Sequence, residues 1–410
     1  MRGLGSGIEY PADQLMNLDP ADGRPVEMVI DIKRLKREQP DCAWYKPERN
    51  DMWRFGGLLG LDSNDAGNAR WITSGGEGAT PLLEYADYPL AKKVGFRLQV
   101  KEEGRPVPGY GANPTLSFKD RGMAMVVSMA RLFGLDRLTV PTQGNAGDSL
   151  ADYAVRAGLA AAIVMPDDTP MPVLGRVAAL ARMHERIELD LVQGTIREAG
   201  QLMKEKYLPR GYFNVATFQE PGWRIEGKKT LGLELAEPVS AGSRWELPDV
   251  IVYPTGGGTG LLGMWKAFDE LQALGLIDSR RPRMVAVQSD ETAPLVEAMT
   301  TGADDTAAVA PGHTIATGLN VPGGIGHFRV LQILRASDGV AVSVSEQEIA
   351  TSVAATWRDK GWWISPEGAA SFAALPQLAQ SGVVQTGQRV VCVNTASLEK
   401  YLPGLRHLLV

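Results

Sequence analysis

The chain has 410 residues, 44% apolar and 22% charged, the proportions of a globular protein and not of a disordered or membrane-embedded one. Its 42 basic residues against 48 acidic ones, net −6 and without a basic block, leave no phosphate-neutralising surface, so a nucleic-acid partner is not expected. Two cysteines, Cys42 and Cys392, supply neither a disulfide framework nor a four-cysteine zinc site.

From Met1 to Pro20 acidic residues interrupt every apolar stretch, so neither a signal peptide nor a spanning helix is expected, and a cytoplasmic setting without membrane attachment fits. Residues 1–69 are rich in Trp, Pro and charge with weak periodicity; they read as an irregular N-terminal extension packed on the body. From about Phe96 short β-rich runs alternate with longer helical ones, the pattern of βα units around open, twisted, mostly parallel sheets. Strands are predicted at Phe96 to Val100, Arg137 to Val140, Ala161 to Met165, Ile187 to Leu191, Asp249 to Tyr253, Met284 to Gln288 and Arg389 to Val393. Helices are predicted at Gly122 to Phe133, Asp148 to Ala157, Gly194 to Lys206 and Gly258 to Leu274. The fold class is α/β. At this length two lobes are expected, joined by chain crossings with a cleft between them: residues 70–112 with 222–410 as the large lobe, and residues 113–221 as a small mobile one. Cys392, in an apolar run, reads as a buried strand thiol.

Four segments carry candidate chemistry. In Asn113 to Gly122 a turn runs into a helix starting near Ser117, and the positive end of the helix dipole disfavours the protonated form of Lys119, as an imine-forming amine requires. A solvated helix-start lysine is the plainer alternative. In Val140 to Asp148 a strand ends and a helix opens, so backbone N–H groups converge on an anion, with Thr142, Gln143 and Asn145 adding side-chain donors. The plainer alternative is a turn capped by Asn145 or Asp148. In Ile251 to Gly260 four glycines in five positions (Gly256, Gly257, Gly258 and Gly260, with Thr259 among them) let the backbone wrap a phosphate. Neither the GK[ST] ending of a P-loop nor a spaced GxGxxG is present. Last, Thr395 follows the final predicted strand, where side chains of an open parallel sheet face a ligand crevice. Much of the glycine content thus falls in runs at Gly75 to Gly78, Gly144 to Gly147 and Gly256 to Gly260, positions from which amides can reach anions.

The order of these segments resembles the tryptophan-synthase-like, fold type II enzymes that use pyridoxal 5'-phosphate, and among them the threonine synthase family. The resemblance begins at Gly76-Glu77-Gly78-Ala79-Thr80-Pro81-Leu82, continues through Ser117-Phe118-Lys119-Asp120-Arg121-Gly122, the Gly144-Asn145 loop and Arg224-Ile225-Glu226-Gly227-Lys228-Lys229-Thr230, and runs to Val393. It implies a two-lobed enzyme of amino-acid metabolism, a homodimer, in which Lys119 is the Schiff-base lysine and catalytic residue. Asn145 would bond the cofactor's 3′-oxygen, Gly256 to Gly260 would hold its phosphate, in the larger lobe, and Thr395 would face the pyridine nitrogen. The implied reaction is that of a carbon–oxygen lyase making L-threonine and phosphate from O-phospho-L-homoserine and water. Thr142, Gln143, Gly144 and Ala146 would meet the substrate carboxylate, and Asn214 with Arg224 its phosphate. The chain departs from the family at Ala146, where a hydroxyl residue is usual, and at Gly257, where an asparagine is common. The connection from Asn214 to Arg224 is also longer. These departures keep open a β-elimination on a hydroxy- or diamino acid, of the serine/threonine dehydratase kind, and, in another class, an idle relative that binds a small anion or a protein.

The segment Ile315 to Gly324 resembles one near the active site in this family, and a tight structural loop explains it equally. His313 and His327 match no helical metal pair and read as surface or core residues. Trp357, Trp362 and Trp363 read as helix-packing aromatics.

Overall fold

The computed structural model describes residues 1–239 and 243–409. Its contacts divide the chain into one unit formed by Met1–Ala79 with Gly111–Thr230 and another formed by Thr80–Tyr110 with Leu231–Val410. The division passes through the helix Trp223–Ala236.

The first unit is organised on a four-stranded parallel sheet, in the order Ile187–Val192, Ala160–Pro166, Arg137–Pro141 and Phe213–Asn214. Ala162, Val164, Ala199, Met203, Tyr207 and Tyr212 pack as one cluster beside it. The helices Lys119–Leu132 and Trp223–Ala236 approach so closely that a Cβ on Gly227 would lie 2.0 Å from the Arg121 carbonyl oxygen. Glycine there is a packing requirement.

The extension is more ordered than its sequence suggests. Arg2–Gly3 pairs antiparallel with Val26–Glu27, Ile32–Glu38 is helical under an Asp31 cap, and Met52–Leu58 forms a 3₁₀ segment. It packs along the helix Trp223–Ala236: Gly60 N–H donates to Glu226 (2.8 Å) and the Lys229 ammonium to the Leu58 carbonyl (2.6 Å). The weak periodicity reflects irregular backbone tied down by tertiary bonds, which no local pattern announces.

The second unit carries a six-stranded sheet in the order Val340–Val344, Arg283–Ser289, Val250–Pro254, Arg389–Asn394, Arg97–Glu102 and Leu82–Glu84. Only the Leu82–Glu84 edge runs antiparallel. Val340–Val344 and Leu82–Glu84 escaped the sequence reading, as edge strands with half-buried patterns do. Chain order reverses between Val250–Pro254 and its neighbour Arg389–Asn394, so a switch point opens at their carboxyl ends. The helix Pro366–Gln380 supplies much of the core, with Phe372, Leu375 and Leu378 buried. Cys392 is a buried strand thiol whose pKa burial pushes up. Trp357 and Trp363 meet edge to face at 5.3 Å, while Trp362 meets Tyr85 at 5.2 Å. Among the described residues no helix is long and apolar enough to cross a membrane.

Candidate active site

In the first unit the candidate residues gather at the carboxyl ends of two neighbouring strands. Thr142 to Gly144 follow Arg137–Pro141, and Asn214 ends the adjacent Phe213–Asn214, in register with Thr139. The helix Asn145–Ala157 starts behind Gly144, whose φ of 146° only glycine adopts easily, and no side chain caps it. The expected cap by Asn145 or Asp148 is thus absent, because the chain turns into the helix one residue before Asn145. Thr142 organises this turn: its hydroxyl oxygen accepts from Gly144 N–H (3.1 Å) and Gly147 N–H (3.3 Å). Gln143 and Ala146 lie in the same turn, half-buried.

Lys119 is the first residue of the helix Lys119–Leu132, two positions later than expected. The delay is built by Leu116, with φ of 57°, and by Asp120, whose buried carboxylate accepts from Thr115 N–H (2.7 Å), Thr115 Oγ1 (2.6 Å) and Ser149 Oγ (2.6 Å). Bonds to a charged acceptor contribute about 1.5–3 kcal/mol each. Through Ser149 they tie the Lys119 turn to the helix that opens at Asn145. Lys119 is half-buried, its ammonium 4.8 Å from the centre of the Phe118 ring.

A residue to which the sequence reading gave no role of its own stands beside it. The Lys228 ammonium lies 4.5 Å from the same Phe118 ring, fully buried. Burial drives its pKa well below the usual lysine range, and the charges of Lys119 and Arg224 push it the same way against Glu220. A sequence signal existed: Lys228 follows Arg224 by four positions, one helical turn on the same face.

Arg224 is buried, with Nη2 donating to the Val215 carbonyl and Nη1 to Thr217 Oγ1 (3.3 Å). Its Nε is buried without a hydrogen-bond partner among the described residues. Desolvation lowers its pKa to about 10, against the opposing charge of Glu220. A desolvated guanidinium with an unused N–H, in the first turn of a 14-residue helix, has the charge and the donor that an anion site needs.

In the second unit Gly256 to Gly260 and Thr395 leave the carboxyl ends of the adjacent strands Val250–Pro254 and Arg389–Asn394. Gly258 has φ of 83° and opens the helix Thr259–Leu274 with no side-chain cap. A Cβ on Gly256 would stand 2.3 Å from the Gly318 carbonyl oxygen, and one on Gly258 would stand 2.5 Å from a Val330 methyl. A cradle this tight, at an uncapped helix start, suits a phosphate group. Its far side is held by His327: Nε2–H donates to the Gly256 carbonyl (2.9 Å), while Nδ1 accepts from Gly324 N–H (3.2 Å). Gly318, in the 315–324 segment, donates to buried Glu367 (2.8 Å), which also accepts from Tyr401 (2.7 Å). Thr395 is buried, its neighbour Asn394 bonded to Glu102 (2.6 Å).

The run Gly75 to Gly78 does not match the expectation of an anion loop. Gly75 N–H donates to Glu77 (2.7 Å), Gly76 N–H to Ser74 (3.0 Å) and Gly78 N–H to Asn113 (3.3 Å). The Glu77 carboxylate is itself enclosed by Trp53 (2.8 Å) and Tyr153 (2.5 Å). These amides are already bonded, two of them within the turn and the third to Asn113.

Residues 73–396 match the family model "Pyridoxal-phosphate dependent enzyme". A threonine synthase of Methanosarcina acetivorans is 30% identical over 96% of this chain and 90% of its own length. One of Methanocaldococcus jannaschii is 29% identical over 95% and 90%. Among solved structures, the diaminopropionate ammonia lyase of Escherichia coli superposes with a TM-score of 0.64 at 18% identity, covering 90% of this chain and 95% of that one. A fungal L-serine ammonia-lyase from Rhizomucor miehei gives 0.62 at 18%, covering 79% and 97%. These structures share the fold. The cofactor is pyridoxal 5'-phosphate, and the glycine cradle of the second unit has the shape and the amide supply for its phosphate. The chain is a pyridoxal-phosphate-dependent lyase, a member by its family model of the pyridoxal-phosphate-dependent enzymes and by its curated relatives of the threonine synthase family.

Proposed function

We propose that the protein converts O-phospho-L-homoserine and water to L-threonine and phosphate. The observation that carries this reading is Arg224, buried, with Nε unpartnered and Lys228 one helical turn away. A leaving group with two negative charges gains from such a pair. The hydroxide lost from serine or threonine has no use for it.

In this scheme Lys119 holds the cofactor covalently, Gly256 to Gly260 bind its phosphate, Asn145 its 3′-oxygen and Thr395 its ring nitrogen. The bound ring delocalises the negative charge left at Cα when a proton departs. The freed Lys119 amine takes the Cα proton and then moves a Cβ proton. The Cγ–O bond breaks and phosphate leaves toward Arg224 and Asn214. A proton returns to Cγ, water adds its hydroxyl at Cβ and gives its other proton to the departed phosphate, and Cα is reprotonated, so the atoms balance as threonine plus phosphate. Thr142, Gln143, Gly144 and Ala146 meet the substrate carboxylate through the helix start at Asn145. The working form is a homodimer in the cytoplasm.

Purified enzyme supplied with O-phosphohomoserine should release phosphate and threonine in equal amounts. Lys119→Ala should abolish the visible absorption of the lysine-bound cofactor and lower kcat by about 10⁴. Ammonia and a 2-oxo acid from serine or threonine, without phosphate release from O-phosphohomoserine, would overturn the proposal in favour of a dehydratase.

A further inference from the structure

Two stretches that the family resemblance leaves without a role, the N-terminal extension and the lengthened connection from Asn214 to Arg224, meet at Asn17. Its side-chain amide donates one hydrogen to the Asn214 carbonyl (3.1 Å) and the other to the Gln219 carbonyl (2.5 Å). Both donors of the amide are thereby used, and they close the segment 214–219 like a staple. Inside the staple lie the Val215 carbonyl and the Thr217 hydroxyl, the groups that accept from the Arg224 guanidinium.

The segment needs such a constraint. Phe218 is buried with φ of 64°, in the left-handed region that a non-glycine residue occupies only at a cost of about 1 kcal/mol or more. A strained residue of this kind persists when its surroundings fix it on several sides. The extension does so from a rigid base: two residues beyond Asn17, buried Asp19 accepts from Ser6 Oγ (2.5 Å), Tyr10 OH (2.5 Å) and Ala21 N–H (2.8 Å). Its strand Val26–Glu27 then packs against Gly222, where a Cβ would lie 2.8 Å from the Val26 carbonyl oxygen and from the Glu27 Cα. The extension therefore grips the connection at 214, at 219 and at 222.

We propose that Asn17 is a positioning residue for the substrate's anionic leaving group, acting through the 214–219 segment on the aim of Arg224, and that the extension exists in part to present it. The inference rests on the reading of Arg224 as the anion receptor. Asn17 touches backbone only. Its loss therefore changes where the guanidinium points, leaving the cofactor and Lys119 in place.

The test uses full-length holoenzyme carrying Asn17→Ala or Asn17→Asp, with inorganic phosphate as a probe of the anion site. Asn17→Ala removes both donors, and Asn17→Asp sets a carboxylate against two carbonyls while keeping the shape. The expected result is a KM for O-phosphohomoserine and an inhibition constant for phosphate raised about tenfold in Asn17→Ala and further in Asn17→Asp. kcat should stay within about twofold in Asn17→Ala, with the cofactor absorption unchanged and faster amide exchange at residues 215–220. Arg224→Ala is run alongside. If it weakens phosphate inhibition while neither Asn17 variant does, the present inference fails alone. If Arg224→Ala leaves phosphate inhibition unchanged, the anion-receptor reading fails and this inference with it. Equal losses in KM, kcat and thermal stability in Asn17→Ala would show a merely structural role and would also overturn it.

Discussion

The two glycine turns that open helices at strand ends, Thr142 to Gly147 and Thr255 to Gly260, look alike in sequence and are held in different ways. The first is stabilised from within, by the Thr142 hydroxyl accepting two N–H groups of its own turn. The second is held from outside, by His327 on the Gly256 carbonyl and by the Gly318 backbone against the Gly256 Cα. A turn stabilised by its own side chain keeps fewer amides for a ligand. One braced through its carbonyl keeps its N–H groups pointing away, toward an anion. On this difference the first turn suits a planar carboxylate and the second a phosphate.

The largest effect should come from adding one methyl group to each turn. Gly256→Ala puts a Cβ 2.3 Å from a backbone oxygen that has no rotamer to escape into. The cradle must open, and the dissociation constant for pyridoxal 5'-phosphate should rise by about 100-fold, equivalent to about 2.7 kcal/mol. Pyridoxal, which lacks the phosphate, should bind as in the wild type. Gly147→Ala meets side-chain carbons of Thr142, Ile163 and Met165 at 2.4, 2.6 and 2.9 Å. Overpacking of this kind costs about 1–3 kcal/mol of stability and should leave cofactor affinity intact. Cofactor titrations and melting temperatures of the two variants read the contrast directly. Equal cofactor loss in both would abolish it.

Next in size is Thr142→Val, which keeps volume and removes the acceptor for Gly144 and Gly147. Leaving buried N–H groups unsatisfied costs about 1–3 kcal/mol. The loss should appear as a lower melting temperature and a raised substrate KM, with the visible spectrum of the cofactor unchanged. A spectral change would mean that the first turn also supports the cofactor ring.

What the sequence made legible follows the same divide. The helix starts near Lys119, Asn145 and Thr259 were readable because turn residues, glycine runs and apolar periodicity are local signals. Phe213–Asn214 was not, since two residues carry no period. The roles of Asn17 and His327 were missed for a common reason: each acts through a contact made by tertiary folding. Asn17 reaches carbonyls 197 and 202 positions away, and His327 one 71 positions away. The glycines at 75 to 78 misled in the opposite direction, because composition does not tell whether an amide is already bonded. Glu77, buried among four donors, answers that only in three dimensions.

The smallest expected effect separates the turns by pH. His327 is buried, and desolvation lowers its pKa from the ordinary 6.5, the Gly256 carbonyl and the charge of Asp305 opposing. The Gly324 N–H donates to Nδ1, so Nδ1 is an acceptor and the proton on Nε2 faces Gly256; Thr306 Oγ1 lies 3.0 Å from Nδ1. Protonation would set a second N–H against the Gly324 donor. The unfolded chain binds that proton near pH 6.5 and the folded one only lower. The stability linked to His327 is therefore complete above pH 6.5 and declines as pH falls below it, by at most about 1.4 kcal/mol per pH unit. The same decline should appear in affinity for pyridoxal 5'-phosphate, since the imidazole braces the cradle. Thr142 has no titrating group, so the first turn should keep its hold over the same range. His327→Gln, whose amide donates to the same carbonyl, should bind the cofactor within about threefold of wild type above pH 7 and should lose the His327 part of the acid-side decline. Calorimetric melts and cofactor titrations between pH 5 and 8 on wild type and variant decide it: parallel curves would mean that the histidine does not brace the phosphate turn.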